Sequence, residues 1–435
     1  MPYRFRDFFD LLRTPVGRYK YADAWNYVSF PLFALLAVLY RRLVVRKTRI
    51  VAVVGSLGKT STHCTVAAVL GLPQDGRASK NSWSDVAWRL LRLRPGALRA
   101  VFEVGIAKPG QMKQYARFLR PQVTVVTSIA SDHNRSLPTL EVTRWEKAAM
   151  VRALAPDGLA VLNGDDPHVV WMKGETTART IFYGFNASND VRAEDLVFDW
   201  PHGLRFTLCV GGRRRPMRCL FHGRHMVYPL LAAVAVAMAE GIDLDTAIGA
   251  LESVKPVRGR MQPLRLENGA WLLCDEFKSP QESCLAALEA LEQIPAQRRM
   301  VVFGEVSEPS GNQHRLYREL GMCMGRIASR AIFVGSRRAR DMVRGAVKAG
   351  MPLASITTLT SETGVLQFAS LLRDELREGD VVLIKGRSTE RLRRIVLALQ
   401  GRPVRCDIPH CNAGDIACDE CGMLERGWEG LRVVT

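Results

Sequence analysis

The sequence predicts an α/β protein made of two successive series of alternating strands and helices, each around a mostly parallel sheet. Three observations carry this expectation. Apolar runs of strand length, "RIVAVVG", "RAVFEVG", "VTVVTSI" and "GLAVLNG", follow one another between residues 49 and 164, with helical stretches between the first three. Strands so uniformly apolar are covered on both faces, as parallel strands in α/β proteins are. A second set starts near Gly269: "AWLLCDEF", "RMVVFGEV", "RAIFVG" and "DVVLIKG", interleaved with helices at "SCLAALEALEQI" and "LYRELGMCMGRI" and closed by one at "ERLRRIVLAL". The chain also has 435 residues, 47% hydrophobic and 24% charged, which is a soluble globular composition long enough for two to three domains.

Taken in order, residues 1–48 form a segment of their own. "FPLFALLAVLY" (Phe30–Tyr40) is apolar, preceded by Tyr19, Tyr21, Trp25 and Tyr27 and followed by Arg41, Arg42, Arg46 and Lys47. The run is shorter than the roughly 20 residues a spanning helix needs. It suits either a helix packed on the body of the protein or a segment lying in a membrane interface, its cations toward anionic headgroups. No cleavable signal is visible, and a cytoplasmic location, with possible contact to the inner face of a membrane, is the expectation. Residues 49–262 carry the first α/β series. It ends in "HMVYPLLAAVAVAMAEGIDLDTAIGALESV", two helices separated by Gly241. Residues 263–400 form a smaller, Rossmann-like α/β domain. Residues 401–435 are a cysteine-rich tail.

The loop after the first strand, "GSLGKTST", opens a predicted helix. Backbone N–H groups and the helix N-terminus there suit phosphate oxygens; Lys59 adds a point charge and Thr60 a hydroxyl for Mg²⁺. The longer Walker spacing would place a glycine at Val53; Gly55 makes this the shorter GxxGK[ST] form of the P-loop. A chance Gly-Lys-Thr turn is the plainer alternative, but the strand before and the helix after favour a nucleotide.

This loop resembles the phosphate loop of the Mur ligases, ATP-dependent enzymes that add amino acids or peptides to peptidoglycan precursors. Other segments resemble that family in the same order: "KNSWSDVAWRLL", "VFEVGIAKPGQM", "SIASDHNRSL", "EKAAMVRALAPDGLAVLNGDDP", "GRHMVYPLLAA", "PVRGRMQPL", "CDEFKSP", "VVFGEVSE…HRLYRELG" and "VVLIKGRS". The likeness covers about residues 48–400, and within the family it is to the branch that adds a D-alanyl-D-alanine dipeptide. It implies a carboxylate–amine ligase working through an acyl phosphate, with ATP and Mg²⁺ as cofactors. It implies that Gly55, Ser56, Gly58, Lys59, Thr60 and Ser61 hold the phosphates. Thr60 and Glu103 would hold one Mg²⁺, and His133 and Lys147 a second near the acceptor carboxylate. Because an ammonium cannot ligate a metal, Lys147 would act as a carbamylated lysine. Read without the resemblance, Lys147 is a helix lysine paired with a neighbour such as Glu146, and His133 beside Asp132 is a turn cap. In the second domain Arg260 would reach the nucleotide, Asp275 the ribose and Lys278 the γ-phosphate. Asn81, Lys385, Arg387 and Ser388 would line the substrates.

Three departures limit what is carried over. Met226 and Pro229 stand where relatives have asparagines that contact adenine, leaving base recognition to Asn163 and apolar packing. The loop reads Ser56-Leu57 where the family has Thr-Asn or Thr-Lys. The first 48 residues are too few and too apolar to resemble the family's UDP-binding domain. The acceptor is therefore expected to be lipid-linked or membrane-proximal rather than held by its uridine.

Six of the ten cysteines are scattered singly, whereas Cys406, Cys411, Cys418 and Cys421 crowd the tail with spacing C-x₄-C-x₆-C-x₂-C. Four thiolates around Zn²⁺ would organise a segment too short for its own core, with His410 able to replace one sulfur. An iron–sulfur cluster fits the ligands too, but the chemistry needs no electrons. The net charge of +18 favours anionic partners. It is dispersed and lacks an aromatic–basic signature, so no nucleic-acid partner is expected. The other classes weighed are a regulatory or scaffolding P-loop ATPase and a nucleic-acid-binding protein.

Overall fold

The structure, a computed structural model, describes residues 14–74, 81, 83–106, 108–131, 134, 136–335, 338–359, 365–408, 410, 411, 413 and 416–428. They fall into two compact units, one of residues 25–257 and the other of residues 258–435 with the segment before residue 25.

In the first unit the sheet contains β1 (Arg49–Val54), β2 (Arg99–Glu103), β3 (Val123–Val126), β4 (Leu159–Asn163), β5 (Arg179–Gly184), β6 (Val191–Asp199), β7 (Gly203–Val210) and β8 (Arg213–Cys219). The spatial order is β2-β1-β3-β4-β5-β6-β7-β8, parallel through β6 and antiparallel from β6 to β8. β1, β3 and β4 are buried almost throughout, as their β-branched and alanine-rich sequences predict. The antiparallel β6–β8 extension was not apparent in the sequence. β8 reads "RRRPMRC", a charge run with one proline, and exposes its first four residues. That composition suits an edge strand, where exposed cations and a proline discourage further pairing.

Helices α2 (Lys59–Val69), α3 (Trp83–Leu91), α4 (Gln111–Leu119) and α5 (Leu140–Arg152) connect the first four strands. α6 (Pro167–Val170), α7 (Tyr228–Ala239) and α8 (Leu244–Glu252) follow. α7, "YPLLAAVAVAMA", is buried from Pro229 to Ala237. Its alanines let it lie close against α2, and the Thr65 hydroxyl donates to the Pro229 carbonyl at 2.8 Å. Its proline falls in the first turn, where no helical N–H is lost.

The N-terminal segment departs from expectation in length and exposure. α1 runs Pro15–Leu43, 29 residues, and carries Pro31 in its interior, where the ring removes one N–H donor and crowds the Tyr27 carbonyl. By length and composition it is apolar enough to cross a membrane, and only 17% of its most apolar window is buried. Within the first unit Phe30 and Ala37 join the core, with Phe33, Ala34 and Val38 packed against it. Trp25, Val28, Leu32, Leu35, Leu39 and Leu43 are exposed, Leu43 by 74%. Their spacing of three and four residues makes one apolar stripe. A helix simply buried on the body is therefore not what the chain forms.

The second unit has sheet order β13-β12-β11-β14-β10-β9. Its strands are β9 (Gln262–Arg265), β10 (Trp271–Asp275), β11 (Arg298–Phe303), β12 (Arg330–Val334), β13 (Ile356–Leu359) and β14 (Asp380–Lys385). All pairs are parallel except β9 with β10. Helices α9 (Gln281–Gln293), α10 (Gln313–Ile327), α11 (Ala339–Lys348), α12 (Val365–Glu375), α13 (Arg393–Leu399) and α14 (Met423–Arg426) complete it. α11, β13 and α12 were not apparent in the sequence.

The buried Arg41 guanidinium anchors α1 by donating to the carbonyls of Leu119, Val45 and Arg120 and to Gln122 Oε1. Replacing it with methionine strands those acceptors. Arg41→Met is expected to lower unfolding free energy by about 3 kcal/mol in urea titrations, with Arg41→Lys recovering only part. A loss under about 1 kcal/mol would mean that the anchor is not in place.

Candidate functional site

In the first unit the candidate site lies at the carboxyl ends of β1, β2, β3 and β4. β1 sits between β2 and β3, so the sheet order reverses there, and open α/β sheets leave a crevice at such a switch point. The loop after β1 is held by the segment after β3. Ser56 N donates to the Ser128 carbonyl at 2.7 Å, Leu57 N to Ser128 Oγ at 3.2 Å, and Thr127 Oγ1 to the Leu57 carbonyl at 2.6 Å. Ser56 Oγ also exchanges bonds with the Ala130 backbone at 3.0 and 3.1 Å. Gly55 has φ +143°, and a Cβ there would meet Thr127 Oγ1 at 1.9 Å. Only glycine fits. Gly58, at φ +75°, turns the chain into α2, whose N-terminus adds the positive end of a helix dipole.

Two lysines converge on this loop. Lys59 Nζ donates to the Ser56 carbonyl at 2.9 Å, and Lys147 Nζ, from α5, donates to Ser56 Oγ at 2.8 Å. Both are buried, as are Thr60 and Ser61. Ser56, a departure from the family pattern, thus bridges the two cations. Lys147 is not an exposed helix lysine. Glu103 ends β2 opposite Val53 and is 2% exposed. Asn81 Nδ2 donates to its Oε1 at 2.6 Å, while Oε2 is buried without a hydrogen-bond partner among the described residues. A buried carboxylate oxygen of this kind is the donor a hard divalent cation takes. His133 lies outside the described residues.

Asn163 uses its amide internally: Nδ2 donates to the Thr127 carbonyl at 2.8 Å, and Oδ1 accepts from Asp165 N at 3.1 Å. The two acids that follow it carry more of the local structure than the sequence suggested. Asp165 accepts from Phe185 N, Asn186 N, Asn189 Nδ2 and Tyr228 Oη at 2.6–3.0 Å. Asp166 Oδ2 accepts from Ile129 N at 2.8 Å, while its Oδ1 caps α6. Beside Asp165, burial pushes the Tyr228 phenol well up. The "NGDDP" run was the available signal. Met226 and Pro229 are buried in packing.

The second unit carries its own cluster at the carboxyl ends of β10 and β14, adjacent strands that pair Asp275 with Lys385. Lys385 Nζ, 1% exposed, donates to Asp275 Oδ2 at 2.6 Å, to the Lys278 carbonyl at 2.8 Å and to Ser283 Oγ at 2.9 Å. These three bonds tie the "DEFK" loop to the end of β14. Asp275 Oδ1 accepts from Met261 N at 3.2 Å, and Arg260 lies over the Phe277 ring at 4.9 Å. Arg387 pairs with Glu305. Ser388 opens a short 3₁₀ turn that ends at Glu390.

Glu390 was not anticipated. Its carboxyl accepts from Arg387 N at 2.7 Å and Glu305 N at 2.8 Å, tying the "KGRS" loop to the "FGE" loop. A Cβ on Gly304 would stand 2.2 Å from it, which explains glycine there. Among the described residues, no group of three or more His, Cys, Asp or Glu side chains is arranged to hold a metal ion. The cysteine tail therefore departs from a preformed metal site: its thiols line one cavity without closing around a centre.

Two family models match the chain. The Mur ligase middle domain covers residues 53–237, and the Mur ligase glutamate ligase domain covers residues 259–388. A UDP-N-acetylmuramoyl-tripeptide–D-alanyl-D-alanine ligase of Mycobacterium bovis is 30% identical over 388 residues, 85% of this chain and 76% of the relative. A crystal structure of MurF from Acinetobacter baumannii superposes with a TM-score of 0.74 at 20% identity, covering 85% of this chain and 80% of that one. MurF ligase from Thermotoga maritima, solved in complex with ADP, gives 0.73 at 20% identity, covering 86% and 84%. These structures share the fold.

Burial pushes the Glu390 carboxyl up to about 7, against 4.5 in an ordinary setting. The folded chain then holds a proton that the unfolded chain has released, so this group's contribution to stability is full below about pH 4.5 and is lost as pH rises through about 7. Glu390→Gln, which sacrifices one acceptor, should lie below the parent in midpoint at pH 5 and flatten the decline between pH 5 and 7. Parallel profiles for parent and variant would refute the assignment.

Proposed function

The chain belongs to the Mur ligase family and is an ATP-dependent ligase that forms an amide bond in peptide biosynthesis for the cell envelope. From that premise we propose that ATP lodges over Gly55–Ser61 and activates the terminal carboxylate of a lipid-linked or membrane-proximal peptide, and that a D-alanyl-D-alanine-like dipeptide amine then attacks. A carboxylate oxygen attacks the γ-phosphorus and ADP leaves; the amine attacks the acyl carbon, phosphate leaves, and the amine gives up a proton.

The observation that carries this reading is the meeting of Lys59 and Lys147 on Ser56 at the phosphate loop. Glu103 ends the adjacent strand with one oxygen unspent among the described residues. The Lys59 ammonium there offsets the charge that builds on the transferring phosphoryl group. Thr60 and Glu103 would hold Mg²⁺, which supplies further shielding of the phosphates when bound. Lys147, carbamylated, together with His133 would serve a second ion. From the second unit Lys278, Arg260 and Asp275 would serve the nucleotide, and Arg387 and Ser388 the amine, with Lys385 fixing the loops. The tail cysteines would carry a structural Zn²⁺.

The membrane-proximal acceptor is supported by α1. Its exposed apolar stripe and the cations at its end, Arg42, Arg46 and Lys47, form a surface that suits an anionic bilayer. Domain boundaries near residues 48, 262 and 400 belong to the same reading.

Ligation is tested by ADP release in the presence of each partner alone and of both. Release should require a muramyl-tripeptide carboxylate, lipid-linked or UDP-linked, together with the dipeptide, and carboxylate ¹⁸O should appear in the released phosphate. Lys59→Ala should cut turnover by about 100-fold or more. ADP release indifferent to both partners would end the ligase assignment.

Membrane contact is tested by sedimentation with anionic and neutral vesicles. The parent should sediment with the anionic ones only, and a Leu32→Ser, Leu35→Ser, Leu39→Ser triple variant should remain in solution. A parent that stays in the supernatant with both would remove the membrane-proximal acceptor.

A further inference from the structure

The tail after α13 lies beyond both matched family segments, and the ligase reading leaves its side chains without a task. We infer that Cys406, Cys411, Cys418 and Cys421 are the four thiolate ligands of one tetrahedral metal ion of the zinc class, and that this ion pins the loop from Lys385 to Arg391 from behind. The second half rests on the proposed role of that loop at the amine.

The four thiols come from a stretch of sixteen residues whose described part holds one 3₁₀ turn, Cys418–Glu420, yet they line a single cavity. Scattered cysteines have no reason to meet in this way. Val16, Ile408, Ala413, Met423 and Trp428 form a small apolar core of their own, with Cys406, Cys411 and Cys421 packed against it. Two N–H donors are already aimed at one sulfur. Trp428 Nε1 donates to Cys406 Sγ at 3.3 Å, and Arg394 Nη1 lies 3.8 Å from the same atom. Donors of this kind around a thiolate are what metal–sulfur centres use to tune and orient their ligands. The sulfurs form no closed ligand set among the described residues, so binding brings them together by side-chain rotation on short loops. Deprotonation of the four thiols on binding releases their protons to solvent.

The tail is bonded to the back of the loop at several points. Cys411 N donates to the Thr389 carbonyl at 2.9 Å. Arg391 donates to the carbonyls of Cys411 and Ile416 at 3.3 and 2.8 Å. Arg394, 1% exposed, donates to the Cys406 carbonyl at 2.7 Å and the Glu390 carbonyl at 3.4 Å. Asp419, between the last two cysteines, pairs with Arg258 at 2.8 Å and Arg393 at 3.6 Å; Arg393 in turn reaches Glu276, next to Asp275. An ion that closes the tail therefore fixes the backbone on which Arg387 and Ser388 are mounted.

The test uses the full chain, purified under reducing conditions and repleted with Zn²⁺ or Co²⁺ alone. About one ion per chain is expected, with a thiolate-to-cobalt charge-transfer band, and both are expected to be lost in a Cys418→Ser, Cys421→Ser double variant. Asp419→Asn keeps all four thiols. It should retain the ion, and the double variant, which loses it, should show a KM for the amine about tenfold above that of Asp419→Asn. Four freely titrating thiols and no bound ion in the repleted chain would overturn the site, as would disulfides among them. An amine KM equal in the double variant and in Asp419→Asn would overturn the link to the loop. A chain that binds cobalt but ligates no amine would leave the metal site standing and overturn the ligase reading together with the link.

Discussion

At Gly55 the backbone passes the Thr127 side chain so closely that a single methyl group would stand 1.9 Å from its hydroxyl oxygen. This contact locks the end of β1 onto the end of β3, and much of the candidate site follows from it. With the two strand ends fused through Thr127, Ser128 and Ala130, the loop cannot relax into an ordinary turn. Its curvature is held open, and the entry into α2 is fixed at Gly58. Pre-formed curvature matters because a phosphate site that had to order itself on binding would lose affinity to that ordering. Lys147 is held by the same frame. Its partner Ser56 is a loop residue, so whatever fixes the loop also fixes the second cation.

How much of this was legible in the sequence varies with how local the cause is. The strands at the centre of both sheets announced themselves, because burial on two faces demands an unbroken apolar run, as in Val51–Val54 and Val381–Ile384. Gly55, Lys59 and Glu103 were legible for the same reason: each stands at the end of such a run. The β6–β8 extension was hidden because one face of an edge hairpin is solvated, and Arg213, Arg214 and Arg215 read as a charge run rather than a strand. The length of α1 was hidden because only its middle is uniformly apolar. The role of Lys385 depends on Asp275, 110 positions away, and no local pattern joins them. Either residue alone reads as a ligand-facing charge. Only their adjacency on β10 and β14 shows that each satisfies the other.

The net charge of +18 spreads over the surface, yet a small set of cations is buried, each in a specific place. Arg41, Lys59, Lys147, Lys385, Arg391 and Arg394 are each less than 9% exposed. A buried cation costs several kcal/mol unless its donors are met. For Arg41, Arg391 and Arg394 the acceptors are largely backbone carbonyls, which makes these residues struts between segments. Lys385 has its aspartate. Lys59 and Lys147 differ from both groups, since they share one serine, the first through its carbonyl and the second through its hydroxyl.

The same reasoning sets the tail apart from an ordinary C-terminal extension. Its buried apolar core is five residues, too small to order a segment of this length against chain entropy. What it does have is a dense exchange of bonds with Arg391, Arg393 and Arg394, of which Arg394 also holds the Glu390 carbonyl of the loop after β14. Struts of this kind transmit position only if both ends are firm. The loop end is firmed by Glu390, which takes two backbone N–H groups into one buried carboxyl. The tail end needs a comparable constraint, and four sulfur atoms facing one cavity can provide it from within the segment itself.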